Sequence, residues 1–182
     1  MTGRKAAVAE LKARTLTFWG VRSLVFQLVL IGAAVALPVV AHLNGAPVRV
    51  LLPMHWPVIL AGLVYGWRGG ALTGLLAPMA SYLVSGMPYP AMLPAMTVEL
   101  FAYGFMAGLL VEKFRLNSFL AVIIALVVGR VVFAATVLAG FGVSGSLTVY
   151  FQAALVPGLF AAVGQVVVLP LIARWWVNKE QN

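Results

Sequence analysis

Neither cysteine nor aspartate occurs in the 182 residues, and the chain holds only four glutamates and two histidines. The missing cysteine excludes a disulfide framework and any thiolate metal site. The missing aspartate, with no HExxH, no GxSxG and no paired carboxylates, leaves a poor catalytic set. A metal site would need His42, His55 and Glu99 to converge. No GxxxxGK[ST] phosphate loop is present, so ATP hydrolysis by that route is excluded. The sequence therefore points to no enzyme and no cofactor. Charge is scarce as well: 9% of residues are charged and 63% are hydrophobic, which no soluble domain carries.

What is present is a series of long apolar runs with short basic clusters between them. A hydrocarbon core takes about 20 helical residues to cross. Spans are expected at about 23–42, 50–66, 70–86, 94–111, 118–141 and 149–173. The expected fold is an all-α integral membrane protein, a compact bundle of six transmembrane helices with both termini cytoplasmic. Residues 1–182 form one domain. Residues 1–22 are basic with scattered apolar positions and read as a cytoplasmic amphipathic lead-in helix. A cleaved signal peptide ending at Ala34-Val35-Ala36 is the competing reading, but the apolar run continues past Ala36. The net charge of +8 reflects position, not nucleic-acid binding. Arg4, Lys5, Lys12, Arg14, Arg22, Arg68, Lys113, Arg115, Arg174 and Lys179 all fall on one side of such a bundle. Arg49 falls on the other side and Arg130 within the membrane. That asymmetry sets the orientation.

The second span is short. It opens at Pro53-Met54-His55-Trp56-Pro57 and closes at Gly66-Trp67-Arg68-Gly69-Gly70, read as a tight cytoplasmic turn. A re-entrant loop over 50–86 would instead leave Arg68 deep in lipid, at about 2.5–3.5 kcal/mol on insertion scales. Proline is tolerated in the first turn of a helix, so His55 and Trp56 sit at the outer rim. There they are either interfacial residues or the mouth of a pocket. The pairs Gly62/Gly66, Gly70/Gly74 and Gly104/Gly108, and the looser Gly32/Ala36 and Gly158/Ala162, suit close helix approach in lipid. The polar residues inside the spans are few: Gln27, Thr73, Ser81, Glu99, Tyr103, Arg130, Thr136, Gln152 and Gln165. Glu99 and Arg130 either pair with each other or contact a polar solute.

Three segments together resemble a known family: LPMHWPVILAGLVYGWRGGALTGLLAPMASYLVSGMPYP (52–90), MTVELFAYGFMAGLL (96–110) and VPGLFAAVGQVVVLPLI (156–172). The chain resembles the membrane-embedded substrate-binding S-component of energy-coupling factor (ECF) transporters over about residues 20–175. The resemblance implies a subunit that captures a vitamin or related micronutrient in an outward-facing pocket. It implies a bacterial or archaeal cell membrane. It also implies assembly with a transmembrane coupling protein and two cytoplasmic ATPases. Small residues on the first helix dock the coupling protein in that family, and Gly32 and Ala36 are the nearest match here.

The candidate substrate-binding residues are His55, Trp56, Tyr82, Tyr89, Glu99, Tyr103 and Arg130. The aromatic members, with Phe101, suit a flat ring, and Arg130 with His55 suits a carboxylate. The alternative is a six-helix scaffold of the cell-shape type that binds partners and no solute. A scaffold has no need of buried ionisable residues gathered near one end.

Overall fold

The computed structural model describes the backbone of residues 14–141 and 147–182, and the side chains of residues 14–141 and 157–182. The regular structure of the described residues is helical: α1 (Val21–Leu43), α2 (Val48–Leu51), α3 (His55–Ser85), α4 (Leu93–Glu112), α5 (Ser118–Leu138) and α6 (Leu147–Gln181). Among the described residues, five helices are long and apolar enough to cross a membrane, with the stretch Val48–Ser85 counted as one. The break expected near residue 66 falls inside that stretch, because α3 departs from helical backbone angles at Gly66. At Gly66 the backbone takes φ 71° and ψ −170°, a conformation essentially confined to glycine.

The result is a reversal. In a straight helix Gly62 and Gly70 would stand about 12 Å apart. Here a Cβ built on Gly70 would lie 2.8 Å from the Gly62 Cα. The arms 55–65 and 67–85 therefore run side by side. The turn is confined to Gly66, with Trp67, Arg68, Gly69 and Gly70 already helical. Trp67 donates its backbone N–H to the Glu112 carboxylate at 3.2 Å. An acid from the end of α4 thus serves the open N-terminus of the second arm, where negative charge is favoured.

The glycine rows are internal packing. Gly62 and Gly70 both press on the Gly104 carbonyl, Gly108 presses on Gly66, and Gly74 presses on the Leu100 carbonyl. Only hydrogen fits at these contacts, so the two arms of α3 and the whole of α4 meet backbone to backbone. These elements form the core, with 17 of 31 residues buried in α3 and 10 of 20 in α4. Helices α1, α5 and α6 surround them, and α1 is the most peripheral.

The entry to the second span also differs from the expectation. The short α2 ends at Leu52 with φ 45° and ψ 55°, and His55 N–H then returns to the Leu52 carbonyl at 3.0 Å. Pro57 falls within the first turn of α3, where its missing N–H costs little. Helix α5 stops at Leu138, short of the expected residue 141. Helix α6 continues past residue 173 through Arg174 and Lys179, whose charges lie 5.0 Å from the Phe119 ring and 5.1 Å from the Trp175 ring.

The lead-in expected as a helix through residue 22 is not helical over 14–20, and its earlier part lies outside the described residues. Local side chains supply this segment with hydrogen bonds that compete with helix formation. Ser23 Oγ donates to the Thr17 carbonyl at 2.6 Å, and Gln27 Nε2 donates to the Phe18 carbonyl at 3.4 Å. Leu16 N–H donates to the Val64 carbonyl at 2.7 Å, and Arg14 reaches the carbonyls of Arg115 and Leu116. Arg22 pairs with Glu180 at 2.9 Å. The Gly66 turn, the 113–117 loop and both ends of the described chain therefore gather at one basic end of the bundle. His42 and Arg49 lie at the opposite end.

Candidate functional site

Glu99 is six residues into α4 from Leu93, about 9 Å along the axis at 1.5 Å per residue. Arg130 is eight residues before the end of α5, about 12 Å from it. Both depths are measured from the end opposite the basic one, and there the two side chains meet. Arg130 Nη1 donates to Glu99 Oε1 at 3.1 Å. Tyr103 is four residues after Glu99 and so on the same helix face. Its hydroxyl donates to the same oxygen at 3.0 Å. His55, the first residue of α3, holds Nε2 4.0 Å from the other carboxylate oxygen, and its ring centre is 5.2 Å from that of Tyr103.

Burial is severe. Glu99 is 2% exposed, His55 3% and Tyr103 0%. A lone carboxylate here would cost many kcal/mol to desolvate, a cost that the Arg130 pair and the Tyr103 hydroxyl offset. Arg130 differs: 23% of its side chain is exposed. Space for it is made across the helix interface, because a Cβ on Gly158 would strike its guanidinium.

Arg130, Tyr103 and His55 border a cavity of about 840 Å³ between α5 and α6, within the range of small-molecule sites. Glu99 holds these residues from behind and is not itself on the wall. Most of the wall is aliphatic, from Ile123, Val127 and Val131 on α5 to Leu159, Val163 and Val167 on α6. Gln165 completes it. This residue is 0% exposed, and neither atom of its amide finds a hydrogen-bond partner among the described residues. Both ring nitrogens of His55 share that condition. Gln165 was visible in the sequence as a polar residue within an apolar run. Its place on a shared wall with Arg130 was not.

The other expected site residues lie elsewhere. Trp56 donates its indole N–H to the Leu51 carbonyl at 2.9 Å and lays its ring against Gly164, bracing the entry to α3. Tyr82 is half-buried near the end of α3, and Tyr89 is 68% exposed in the loop that follows. Neither borders the cavity. Phe101 stacks on Phe105 at 5.5 Å, away from it. The side chain of Gln152 lies outside the described ones. Gly32 and Ala36 are exposed on α1, and a Cβ on Gly32 would meet nothing within 4 Å. His42 does not join His55 and Glu99, and no group of three metal-binding side chains occurs among the described residues.

No curated protein and no solved structure matches the chain. A family model described as the ECF transporter, substrate-specific component, matches residues 23–173. That stretch contains the whole Glu99 cluster and both flanks of the cavity, and the chain belongs to the family of ECF transporter substrate-specific components.

Proposed function

We propose that the chain captures a vitamin or related micronutrient in the cavity between α5 and α6 and presents it to an ECF-type importer. Members of the family are membrane subunits that bind substrate, while the ATPase belongs to other subunits. The observation that carries the reading is the buried polar cluster of Glu99, Arg130, Tyr103 and His55 beside an otherwise aliphatic cavity. A scaffold gains nothing from such a cluster. Structural ion pairs in lipid are expensive, and one that borders a ligand-sized cavity is best explained by use.

Orientation follows from charge. The basic end, with Arg14, Arg22, Arg68, Lys113, Arg115, Arg174 and Lys179, is taken as cytoplasmic by the positive-inside rule. Counting the arms of α3 separately gives six spans with both termini on that side. The cluster then lies in the outer half of a bacterial or archaeal cell membrane and meets solute from outside. The partners are a transmembrane coupling protein and two cytoplasmic ATPases, with Gly32 and Ala36 on the coupling contact.

The purified chain is expected to bind solute without ATP and to support sustained uptake only with its partner subunits. Native mass spectrometry of the detergent-purified protein should show a retained small molecule, absent when Ala162→Trp fills the cavity. Concentrative uptake into liposomes by this chain alone would overturn the subunit reading.

A further inference from the structure

The chemistry of the cavity wall narrows what it holds. Its charges are already balanced, since Arg130 and Glu99 neutralise each other one for one at 3.1 Å. A carboxylate or an ammonium arriving there would bring an uncompensated charge into low dielectric. Aliphatic side chains dominate the rest of the wall, and Tyr103 and His55 are the only rings among the described residues lining it. Val127, Val131, Leu159 and Val163 are 59–69% exposed, so the cavity opens sideways between two membrane-crossing helices. A charged ligand would face lipid on that side as well.

The unpartnered groups supply the complement. The Gln165 amide offers one carbonyl acceptor and one NH₂ donor, both without partners among the described residues. Leaving such groups buried and unsatisfied is costly, so a ligand that pairs with them gains affinity. A secondary cyclic amide presents N–H and C=O side by side and satisfies both in one paired contact. The ring nitrogens of His55, on the same wall, offer a further donor or acceptor. We propose that the substrate is an uncharged, mainly aliphatic small molecule bearing a cyclic amide or urea edge, and that Gln165 reads that edge. This rests on the cavity being the solute site. It departs from the flat ring and the carboxylate that the sequence suggested, because Tyr82 and Tyr89 are not on the wall and Arg130 is already paired.

The test uses three eight-carbon probes on the full chain in lipid nanodiscs: 6-propylpiperidin-2-one, its lactone analogue 6-propyloxan-2-one, and octanoate. The lactam is expected to bind at least about tenfold more tightly than either comparator, a difference of about 1.4 kcal/mol. Gln165→Met should abolish that preference while folding at least as well as the parent, since it replaces an unsatisfied buried amide by an apolar chain of similar length. Ala162→Trp should remove saturable binding altogether. If octanoate or the lactone binds as well as the lactam, or if Gln165→Met keeps the preference, the proposal fails. The cavity would remain the solute site provided that Ala162→Trp still abolishes binding. If no probe shows saturable binding that Ala162→Trp removes, both the amide proposal and the cavity assignment fail.

Discussion

Arg130 and Glu99 form one ion pair from unequal positions. Glu99 is sealed at 2% exposure, whereas Arg130 reaches the cavity wall with 23% of its side chain exposed. Removing the arginine strands a carboxylate that keeps the Tyr103 hydrogen bond and the more distant His55 ring, so Arg130→Gln should cost about 3–5 kcal/mol of stability. Glu99→Gln leaves a guanidinium that is already partly exposed at the cavity wall, and the new amide still accepts from Tyr103. Its loss should be clearly smaller. Thermal unfolding midpoints of both variants in one detergent test the asymmetry, and equal losses would mean that the greater exposure of Arg130 gives it no relief. The sequence marked both residues as costly within a span, and they do meet. It could not rank their burial, because the side of α5 that faces the cavity is set by how α6 packs, not by local pattern. The same limit hid Gln165 and promoted Tyr82 and Tyr89: aromatic content marks the rims of a membrane bundle without saying which rim residue borders a cavity.

Between elements, the backbone contact of α3 with α4 is what shapes the site's support. Gly104 touches the Gly70 carbonyl so closely that a methyl group has no place to go. Gly104→Ala should therefore cost about 1–3 kcal/mol, the usual penalty for overfilling a packed interior. Gly32→Ala, with nothing within 4 Å of the added carbon, should stay within about 0.5 kcal/mol. A comparable effect of both in an unfolding series would contradict the packing. The GxxxG spacings and the Gly66 turn were legible because glycine at these positions has few other uses in a span. The interruption at Leu52 was not, since a leucine in the left-handed region carries no sequence signal and is held there by the contacts around it.

For the molecule as a whole, α1 is the element whose two faces differ most. Ser23, Gln27, Leu30 and Ala34 turn inward at helical spacing, while Leu28, Gly32, Ala36 and Val40 turn outward. Lipid alone would cover the outer face equally well with large side chains, whereas small ones let a second helix approach. If that second helix belongs to the coupling protein, Ala36→Trp should weaken assembly with the partner subunits and leave solute affinity nearly unchanged. The site is borne by α3, α4, α5 and α6, not by α1. Ala34→Trp is the internal comparison, two residues away and 0% exposed. It should impair folding, and with it both assembly and binding. Co-purification with partner subunits and a dissociation constant, measured on both variants, separate the cases. Loss of solute binding in Ala36→Trp equal to its loss of assembly would make the outer face of α1 part of the fold. Unimpaired assembly in Ala36→Trp would move the docking surface off α1 altogether, leaving the basic end around Gly66 and Arg68 as the surface to test next.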